Sequence, residues 1–315
     1  MRCISLNHRR LIRFSPGNKS KPLPVFRILF AILLLLTGSK EVSAQGEFGI
    51  VAGISNFQGD LSSVATQNGF KALIGPVFGV HGAIEKSSAF QIRADLIYTR
   101  ISGDDAYNDH ENSRMRNLSF FSPVYQLTAA VDWNMLGFTQ SSTTEFTPYA
   151  TVGAGIFAFN PKTEYKGETV KLHPLGTEGQ YLEDYPDQKP YHLIQPCLQF
   201  GGGLKFLTAD KLIIALEAMM TYTFTDYLDD ASTIYITYPE LLAKAGELTA
   251  ALANREGELL GTDPVIVPTG TERANSDSKD FFGVITIRLC KPFDIYKKTF
   301  RRNNHNHKKI KCPEF

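Results

Sequence analysis

Apolar and polar residues alternate in this chain over stretches of about ten residues, the length of a membrane-crossing strand. In the clearest stretch, the apolar positions are Phe90, Ile92, Ala94, Leu96 and Tyr98. The residues between them are Gln91, Arg93, Asp95 and Thr99. The same rhythm recurs over 125–133, 198–206, 212–223 and 281–289. Because successive side chains of a strand point to opposite faces, this pattern predicts strands with one apolar and one polar face.

Three further segments have a weaker strand pattern. They are rich in glycine and apolar residues and cover 47–54, 75–84 and 146–159. Glycine within such strands relieves crowding or permits sharp curvature. We therefore expect eight strands, an even number as in bacterial outer-membrane barrels.

The predicted connections alternate between long and short. The long ones cover 55–73, 102–116, 160–190 and 226–279, and the short ones cover 85–89, 136–145 and 208–210. Outer-membrane barrels have long outer loops and short periplasmic turns. The sequence therefore predicts an all-β fold, an eight-stranded antiparallel transmembrane β-barrel with both termini in the periplasm. A secreted β-sandwich with helical inserts is the alternative, although its strands are usually shorter.

The N-terminus has the layout of a secretory signal peptide. A basic segment precedes an apolar run from Ile28 to Leu36, and small residues precede a cleavage point between Ala44 and Gln45. The apolar run is short for a bilayer-spanning helix, although a single uncleaved anchor is the alternative. We expect residues 1–44 to be a signal peptide, 45–293 the outer-membrane barrel and 294–315 a basic periplasmic tail.

Charge and hydropathy exclude other classes of protein. The chain has 33 basic and 32 acidic residues, so no strong field favours a nucleic-acid partner. A mean hydropathy of −0.14 excludes a protein with many membrane-spanning helices. It is compatible with a barrel, whose strands are apolar on one face only.

No catalytic or cofactor motif stands out. The run Gly201-Gly202-Gly203-Leu204-Lys205 lacks the spacing and the Ser/Thr of a phosphate-binding loop. Asp226, Asp229 and Asp230 lack the regular spacing of a calcium loop, and we expect them on a solvated surface, with calcium bound by the loop as the alternative. We therefore expect a protein that is not an enzyme and has no cofactor or metal.

Charged residues fall on the predicted lumen face. They are Arg93, Asp95, Asp132, Lys205, Glu217 and Arg288. Eight strands enclose an interior just wide enough for side chains to fill, and three cations balance three anions there. We expect a cross-linked polar plug and no conducting pore. The alternative is a small water-filled lumen in which the charges are loosely paired.

The last long loop and the tail carry separate expectations. Apolar residues at helical spacing predict one helix over 239–255, with a partly disordered loop as the alternative. Loss of Cys3 with the signal peptide leaves Cys197, Cys290 and Cys312, and an odd cysteine outside the cytosol suggests an intermolecular disulfide or a free thiol. The basic tail is the candidate partner contact, through Lys297, Lys298, Arg301, Arg302, Lys308, Lys309 and Cys312.

Several stretches resemble the PorG family, an outer-membrane barrel component of the type IX secretion system of Bacteroidota. The most specific is FTPYATVGAGIFAFNPKTEYKGETVKLHPLGTEGQ, from Phe146 to Gln180. Shorter similar stretches lie at 47–50, 56–61, 116–120, 224–230 and 311–315. The resemblance runs from about residue 47 to the end of the chain. The long basic N-terminus and the tail sequence depart from the family pattern.

The resemblance implies a non-enzymatic role in protein secretion. PorG-like proteins are linked to a periplasmic ring built from the lipoprotein PorK and its partner PorN, and are thought to hold it at the outer membrane. On this chain, the periplasmic turns and the basic tail with Cys312 become the expected contact surface. Outer-membrane lipid is then a further expected partner, and no nucleic-acid partner is expected. The alternatives are a surface-binding protein or adhesin, and an outer-membrane enzyme acting on lipid or envelope glycans.

Overall fold

The computed structural model describes residues 45–61, 73–108, 110–139, 145–276 and 278–294. The predicted signal peptide and Ala44 lie outside the described residues, as does the tail beyond Asp294. Among the described residues, no helix is both long enough and apolar enough to cross a bilayer.

In the described residues, ten antiparallel strands form a single sheet, and eight of them close into a barrel. The strands are β1 (Gln45–Gln58), β2 (Gly75–Glu85), β3 (Phe90–Asp104), β4 (Ser119–Asn134), β5 (Phe146–Phe159), β6 (Lys162–Tyr165), β7 (Glu168–Lys171), β8 (Ile194–Leu207), β9 (Ile213–Thr223) and β10 (Phe281–Asp294). The barrel closes where β1 pairs with β10 along its whole length, from Gln45 opposite Asp294 to Gln58 opposite Phe281. The predicted eight-stranded antiparallel barrel is confirmed.

The two ends of the barrel differ as the connection lengths predict. Long connections over 59–74, 105–118, 160–193 and 224–280 lie at one end, here called the loop end. Short connections over 86–89, 135–145 and 208–212 lie at the other, here called the turn end. The first residues of β1 and the last of β10 also lie at the turn end, because they pair with each other there.

The third long connection contains a hairpin that the sequence did not predict. Strands β6 and β7 pair with each other, and Lys162 of β6 pairs with Phe121 of β4. Strands of four residues hold too few alternating positions to be recognised in a sequence.

The predicted single helix over 239–255 is wrong. The first helix, α1 (Glu111–Arg116), lies in the second long connection. Two short helices occupy the predicted segment, α2 (Tyr238–Lys244) and α3 (Glu247–Ala253), and α4 (Glu256–Leu260) follows. Gly246 separates α2 from α3 with φ +93°, a backbone angle outside the right-handed helical region. The apolar spacing was helical, but the glycine ends α2.

Pairs of aromatic side chains lie on the outside of the barrel towards each end. Phe90 pairs with Trp133 near the turn end, and Tyr98 pairs with Tyr125 nearer the loop end. Tyr98 follows Phe90 by eight residues on β3. Eight residues rise roughly 27 Å along a strand, and a tilt of about 40° reduces this to roughly 21 Å across a bilayer. This spacing is close to the apolar band of membrane barrels, about 25 Å tall between two aromatic girdles.

The inside of the barrel is divided into two layers. An apolar layer fills the half nearer the loop end, where Phe57, Phe157 and Phe282 are at most 1% exposed. Charged and polar side chains fill the half nearer the turn end. The apolar layer continues into the loops through Leu228 and Leu252. The lumen is therefore packed with side chains over the described residues.

Candidate functional site

The charged layer of the lumen is the first candidate site. All six predicted lumen charges point inward and are at most 6% exposed. They come from five strands, because β3 supplies Arg93 and Asp95, while β4, β8, β9 and β10 supply one each. The remaining four are Asp132, Lys205, Glu217 and Arg288.

Two arginines converge on one carboxylate at the centre of this layer. Arg93 Nη1 and Arg288 Nη2 lie 2.8 and 3.0 Å from Glu217 Oε1. Arg93 Nε also lies 2.8 Å from Asp95 Oδ2 on its own strand. The Arg93–Glu217 contact is a charge-assisted hydrogen bond, which is the strong class, and the other two contacts are ion pairs without hydrogen-bond geometry. Glu217 therefore joins strands that are not neighbours in the barrel wall.

Lys205 forms a second centre next to the first. Its Nζ donates to Asp132 Oδ2 at 2.8 Å, Gln91 Oε1 at 2.6 Å and Asn134 Oδ1 at 3.2 Å. The three acceptors satisfy the three donors of an ammonium group. Thr151 Oγ1 donates to the other Asp132 oxygen at 2.8 Å. The Nζ of this fully buried lysine therefore has three side-chain acceptors from two neighbouring strands.

Sequence reasoning missed three members of the network. His81 Nδ1 lies 2.6 Å from Asp95 Oδ1, and His81 Nε2 lies 3.0 Å from Glu47 Oε1. The Tyr149 hydroxyl donates to Glu217. Glu47 and His81 lie on the glycine-rich strands β1 and β2, whose alternation is weak. Extending the parity of the exposed Phe48, Ile50 and Phe78 along these strands would have placed both side chains in the lumen.

Little open space remains around the charges. A cavity of about 20 Å³ lies among Arg93, Asp95, Gln199 and Glu217. A space of this size accepts about one water molecule. The geometry suits a rigid polar plug that fixes the barrel cross-section.

The loops form a second structured region, here called the loop cap and comprising 160–193 and 224–280. At its centre is Glu178, which is fully buried. It accepts from the backbone nitrogen of Ser232 at 2.9 Å, from Thr233 Oγ1 at 2.7 Å and from Arg273 Nη1 at 2.9 Å. Arg273 donates further to the carbonyl oxygens of Asp230 and Ala253. One carboxylate thus holds three segments of the cap together.

The aspartates that the sequence assigned to a solvated surface are buried, so that expectation is wrong. Asp226, Asp229 and Asp230 are at most 4% exposed, and Asp280 is 2% exposed. The backbone nitrogens of Leu61 and Ala231 donate to Asp229, and that of Leu228 donates to Asp280. They fold inward because loop backbone at the barrel mouth needs hydrogen-bond acceptors.

Burial changes the acidity of these groups. Loss of solvation raises the pKa of Asp226 to about 7 and that of Asp230 to about 6. Burial and neighbouring carboxylates hold the pKa of Asp229 and Asp280 well above the usual range. The loop cap therefore contains carboxyl groups whose charge changes between mildly acidic and neutral pH.

One histidine and one serine at the loop end make hydrogen-bonding contacts that bear on the alternative of an enzyme. His173 Nε2 lies 2.8 Å from the carbonyl oxygen of Tyr191, and Ser232 Oγ donates to Asp226 at 2.8 Å. Ser232 and Asp226 are both buried at 4% exposure. The contact between Ser232 and Asp226 lies in the turn whose Ser232 backbone nitrogen donates to Glu178.

Two cysteines lie in the described residues, and both are free and buried in the barrel wall. Cys197 lies on β8 in the half nearer the loop end, and Cys290 lies on β10 near the turn end. Cys312 and the six basic candidate contacts, Lys297, Lys298, Arg301, Arg302, Lys308 and Lys309, lie outside the described residues.

Solved structures similar to this chain are outer-membrane barrels, at low similarity. Ail, the attachment invasion locus protein of Yersinia pestis, has 11% sequence identity and a TM-score of 0.36, with 80% of this chain and 100% of Ail covered. Neisserial surface protein A has 9% identity and a TM-score of 0.36, covering 81% and 100%. The N-terminal β-barrel domain of Pseudomonas aeruginosa OprF has 8% identity and a TM-score of 0.33, covering 78% and 98%.

Sequence comparison identifies the family. No curated protein matches the chain. The family profile described as a domain of unknown function, DUF6089, matches residues 26–242, which is more than half of the chain. The chain belongs to the DUF6089 family.

Proposed function

We propose that this protein is a non-enzymatic outer-membrane β-barrel that anchors the periplasmic ring of the type IX secretion machinery. The observation that carries the proposal is the resemblance of the block from Phe146 to Gln180 to PorG-like proteins. In the fold, this block supplies the wall strand β5, the hairpin of β6 and β7, and the buried Glu178 at the centre of the loop cap. The similar residues thus have structural roles in this barrel.

The packed lumen supports an anchoring role over a transport role. In the described residues, ion pairs cross-link the half of the lumen nearer the turn end, and aromatic side chains fill the half nearer the loop end. A barrel of this kind offers other molecules its lipid-facing wall, its cap and its turn end. In the proposed arrangement, lipid contacts the outward-facing aromatic side chains. Both termini and the short turns face the periplasm.

The partners in this proposal are a PorK-like lipoprotein and a PorN-like protein. The expected contact is the basic tail, with Lys297, Lys298, Arg301 and Arg302 as its first basic residues. A segment with this excess of basic residues suits an acidic periplasmic surface. Contact through several charges predicts binding that weakens as ionic strength rises.

A gene deletion tests the function, and affinity purification tests the partner. Loss of the protein is expected to leave type IX cargo in the cells and to release ring proteins from the outer-membrane fraction. Intact secretion in a strain without a paralogue would refute the role. For the partner, tagged full chain purified from gently solubilised membranes is expected to retain ring proteins. A variant with Lys297, Lys298, Arg301 and Arg302 changed to Gln is expected to lose them.

A matched control separates the tail from general charge effects. Lys211 and Lys244, changed to Gln, remove positive charge from a short turn and from the exposed helix α2, respectively. The Lys244 variant is expected to retain the ring proteins, and the Lys211 variant reports whether a turn contributes. Equal retention by the tail variant and the Lys244 variant would remove the tail from the proposal.

A surface-binding role is the second candidate, and one observation favours it. The loop cap exposes large apolar side chains, with Leu242 43%, Leu259 50% and Ile266 65% exposed. Exposed apolar groups at a barrel mouth suit a ligand outside the cell. Partners recovered from the cell exterior, with none from the periplasm, would favour this role over anchoring.

A further inference from the structure

Three side chains that commonly bind metals meet inside the barrel near the turn end. They are Glu47 on β1, His81 on β2 and Cys290 on β10. One ligand atom from each lies within 4.8 Å of the other two. All three side chains are buried, at 2%, 1% and 0% exposure. The cluster lies next to the ion-pair network and joins it through His81.

Gly49 is the reason that these side chains can meet. It lies opposite both His81 and Cys290 on the two neighbouring strands, so the three residues form one row across the wall. A Cβ atom at this position would lie 2.4 Å from Cys290 Sγ. The missing side chain therefore leaves space for His81 and Cys290 to approach each other. Glu47 fills the next inward position on the same strand as Gly49.

The hydrogen bonds of His81 orient it for metal binding. Its Nδ1 lies 2.6 Å from Asp95 Oδ1, while Nε2 faces Glu47. A carboxylate that accepts from one ring nitrogen fixes the tautomer in which the other nitrogen carries a lone pair. This carboxylate–histidine arrangement is the usual support for a metal-bound imidazole. Asp95 is itself held by Arg93, so its position is fixed independently.

Formal charges point the same way. Within the connected network of the described residues, the carboxylates are Glu47, Asp95, Asp132 and Glu217, and the permanent cations are Arg93, Lys205 and Arg288. Four anions against three cations leave one negative charge to balance. A divalent cation bound by a Cys290 thiolate and a neutral imidazole supplies one positive charge. Binding releases the thiol proton to solvent, and no electron is transferred.

We propose that Glu47, His81 and Cys290 form a zinc-binding site that ties the first two strands of the barrel to the last. Thiolate, imidazole and carboxylate are the three ligand types that zinc accepts together. Tetrahedral ligands at 2.0–2.3 Å from zinc lie roughly 3.3–3.7 Å apart, so the three atoms need to approach by about an ångström. In the proposed site, one water molecule completes the four-coordinate zinc.

A competing arrangement defines the alternative. Arg288 Nη1 lies 3.0 Å from His81 Nδ1. If Nδ1 accepts from Arg288, the proton lies on Nε2, which then donates to Glu47 and binds no metal. A doubly protonated His81 bridging Glu47 and Asp95 also balances the charge without metal. Metal titration separates zinc binding from both arrangements.

The test uses the folded full chain in detergent, first treated with a chelator and then titrated with Zn²⁺ or Co²⁺. We expect one ion per chain by metal analysis and a higher unfolding temperature with Zn²⁺. Co²⁺ is expected to produce a thiolate-to-metal charge-transfer band. His81→Gln is expected to weaken binding by at least about tenfold, since it removes one of three protein ligands.

Cysteine variants test whether Cys290 is the thiolate ligand, because the other cysteines can be removed without changing the three proposed ligands. A chain with Cys3, Cys197 and Cys312 changed to Ser keeps only Cys290, and we expect it to keep the cobalt band. Cys290→Ser alone is expected to lose the band, while Cys197→Ser, at the other buried cysteine, is expected to keep it. Heat-modifiable gel mobility reports folding of each variant. Absence of stoichiometric metal in the parent chain, or of the band in the chain that retains only Cys290, would overturn the proposal.

Discussion

Arg288 and Glu217 form an ion pair between neighbouring strands, with Nη2 3.0 Å from Oε1 and both side chains at most 4% exposed. The same Glu217 oxygen also lies 2.8 Å from Arg93 on the other side of the lumen. One carboxylate therefore compensates two buried guanidinium groups. Removal of one partner from a buried pair leaves an uncompensated charge in a medium that solvates it poorly.

Glu217→Ala is expected to lower the free energy of unfolding by about 3–5 kcal/mol, because it leaves two arginines without their shared carboxylate. Urea unfolding in lipid vesicles, followed by gel mobility, measures the change. Glu164→Ala, an exposed carboxylate in the β6–β7 hairpin, is the control and is expected to cost less than about 0.5 kcal/mol. Equal losses in the two variants would show that the lumen ion pairs do not support the fold.

A paired substitution tests whether the charges act as a unit. Glu217→Leu combined with Arg288→Met removes one charge of each sign and leaves Arg93 with Asp95. We expect the double variant to lose less stability than the sum of the two single variants, since each single change leaves a buried charge unpaired. Additive losses would contradict the coupling.

The packed lumen predicts a closed barrel. Phe57, Phe157 and Phe282 fill the half nearer the loop end, and Lys205 with Asp132 fills the other half. Purified protein in planar lipid bilayers is therefore expected to give no single-channel current steps, because side chains of the described residues fill both halves of the lumen. A general porin measured in the same bilayers is the positive control. Regular current steps from this protein would favour the loosely paired, water-filled lumen.

The loop cap is expected to be more stable at pH 5 than at pH 8. Asp226 has a folded-state pKa of about 7 and Asp230 of about 6, both above the usual value near 3.9. The folded cap therefore binds protons more tightly than the unfolded loops. Its extra stability is fully present below about pH 4 and is lost as pH rises through the folded-state pKa values.

Limited proteolysis of the cap between pH 5 and pH 8 measures this dependence. Cleavage within 225–235 is expected to be faster at pH 8, after correction for the activity of the protease on an unfolded substrate. Asp226→Asn keeps the contact with Ser232 and removes the titration, so it is expected to reduce the difference between the two pH values. An unchanged pH dependence in this variant would assign the effect to other groups.

The tail cysteine gives a separate prediction. Cys197 and Cys290 are buried in the barrel wall, so Cys312 is the candidate for an intermolecular disulfide. A non-reducing gel of outer membranes is expected to show a shifted band that disappears in Cys312→Ser and persists in Cys197→Ser. An identical pattern in the parent and the Cys312→Ser variant would exclude the bridge.

The barrel was predictable because its wall separates two environments along every strand. On β3, the charged Arg93 and Asp95 alternate with the apolar Ala94 and Leu96. This alternation is expected only in a strand whose two faces meet different environments. The alternation of long and short connections then predicted which strand ends lie at the same end of the barrel. The sequence pattern thus determined the strand number, the direction of each strand and six lumen charges.

Other parts depended on contacts between residues distant in sequence. Glu178 binds Ser232, Thr233 and Arg273 in the cap, and no local pattern links these positions. The buried aspartates had the composition of a solvated loop and were misassigned for that reason. Glu47, His81 and Cys290 come from three strands whose spacing matches no zinc motif, and only the register of β1 with β2 and β10 brings them together.

The pairing of β1 with β10 has a consequence for how the molecule is made. The first strand to emerge during synthesis, β1, pairs with both β2 and β10. Because β10 emerges last, the barrel cannot close until the whole chain has been made. Until then both flanks offer unsatisfied backbone groups to any passing strand. A truncated product without 281–294 would keep both flanks open. We therefore expect these open strand edges to need shielding by other proteins until β10 pairs with β1.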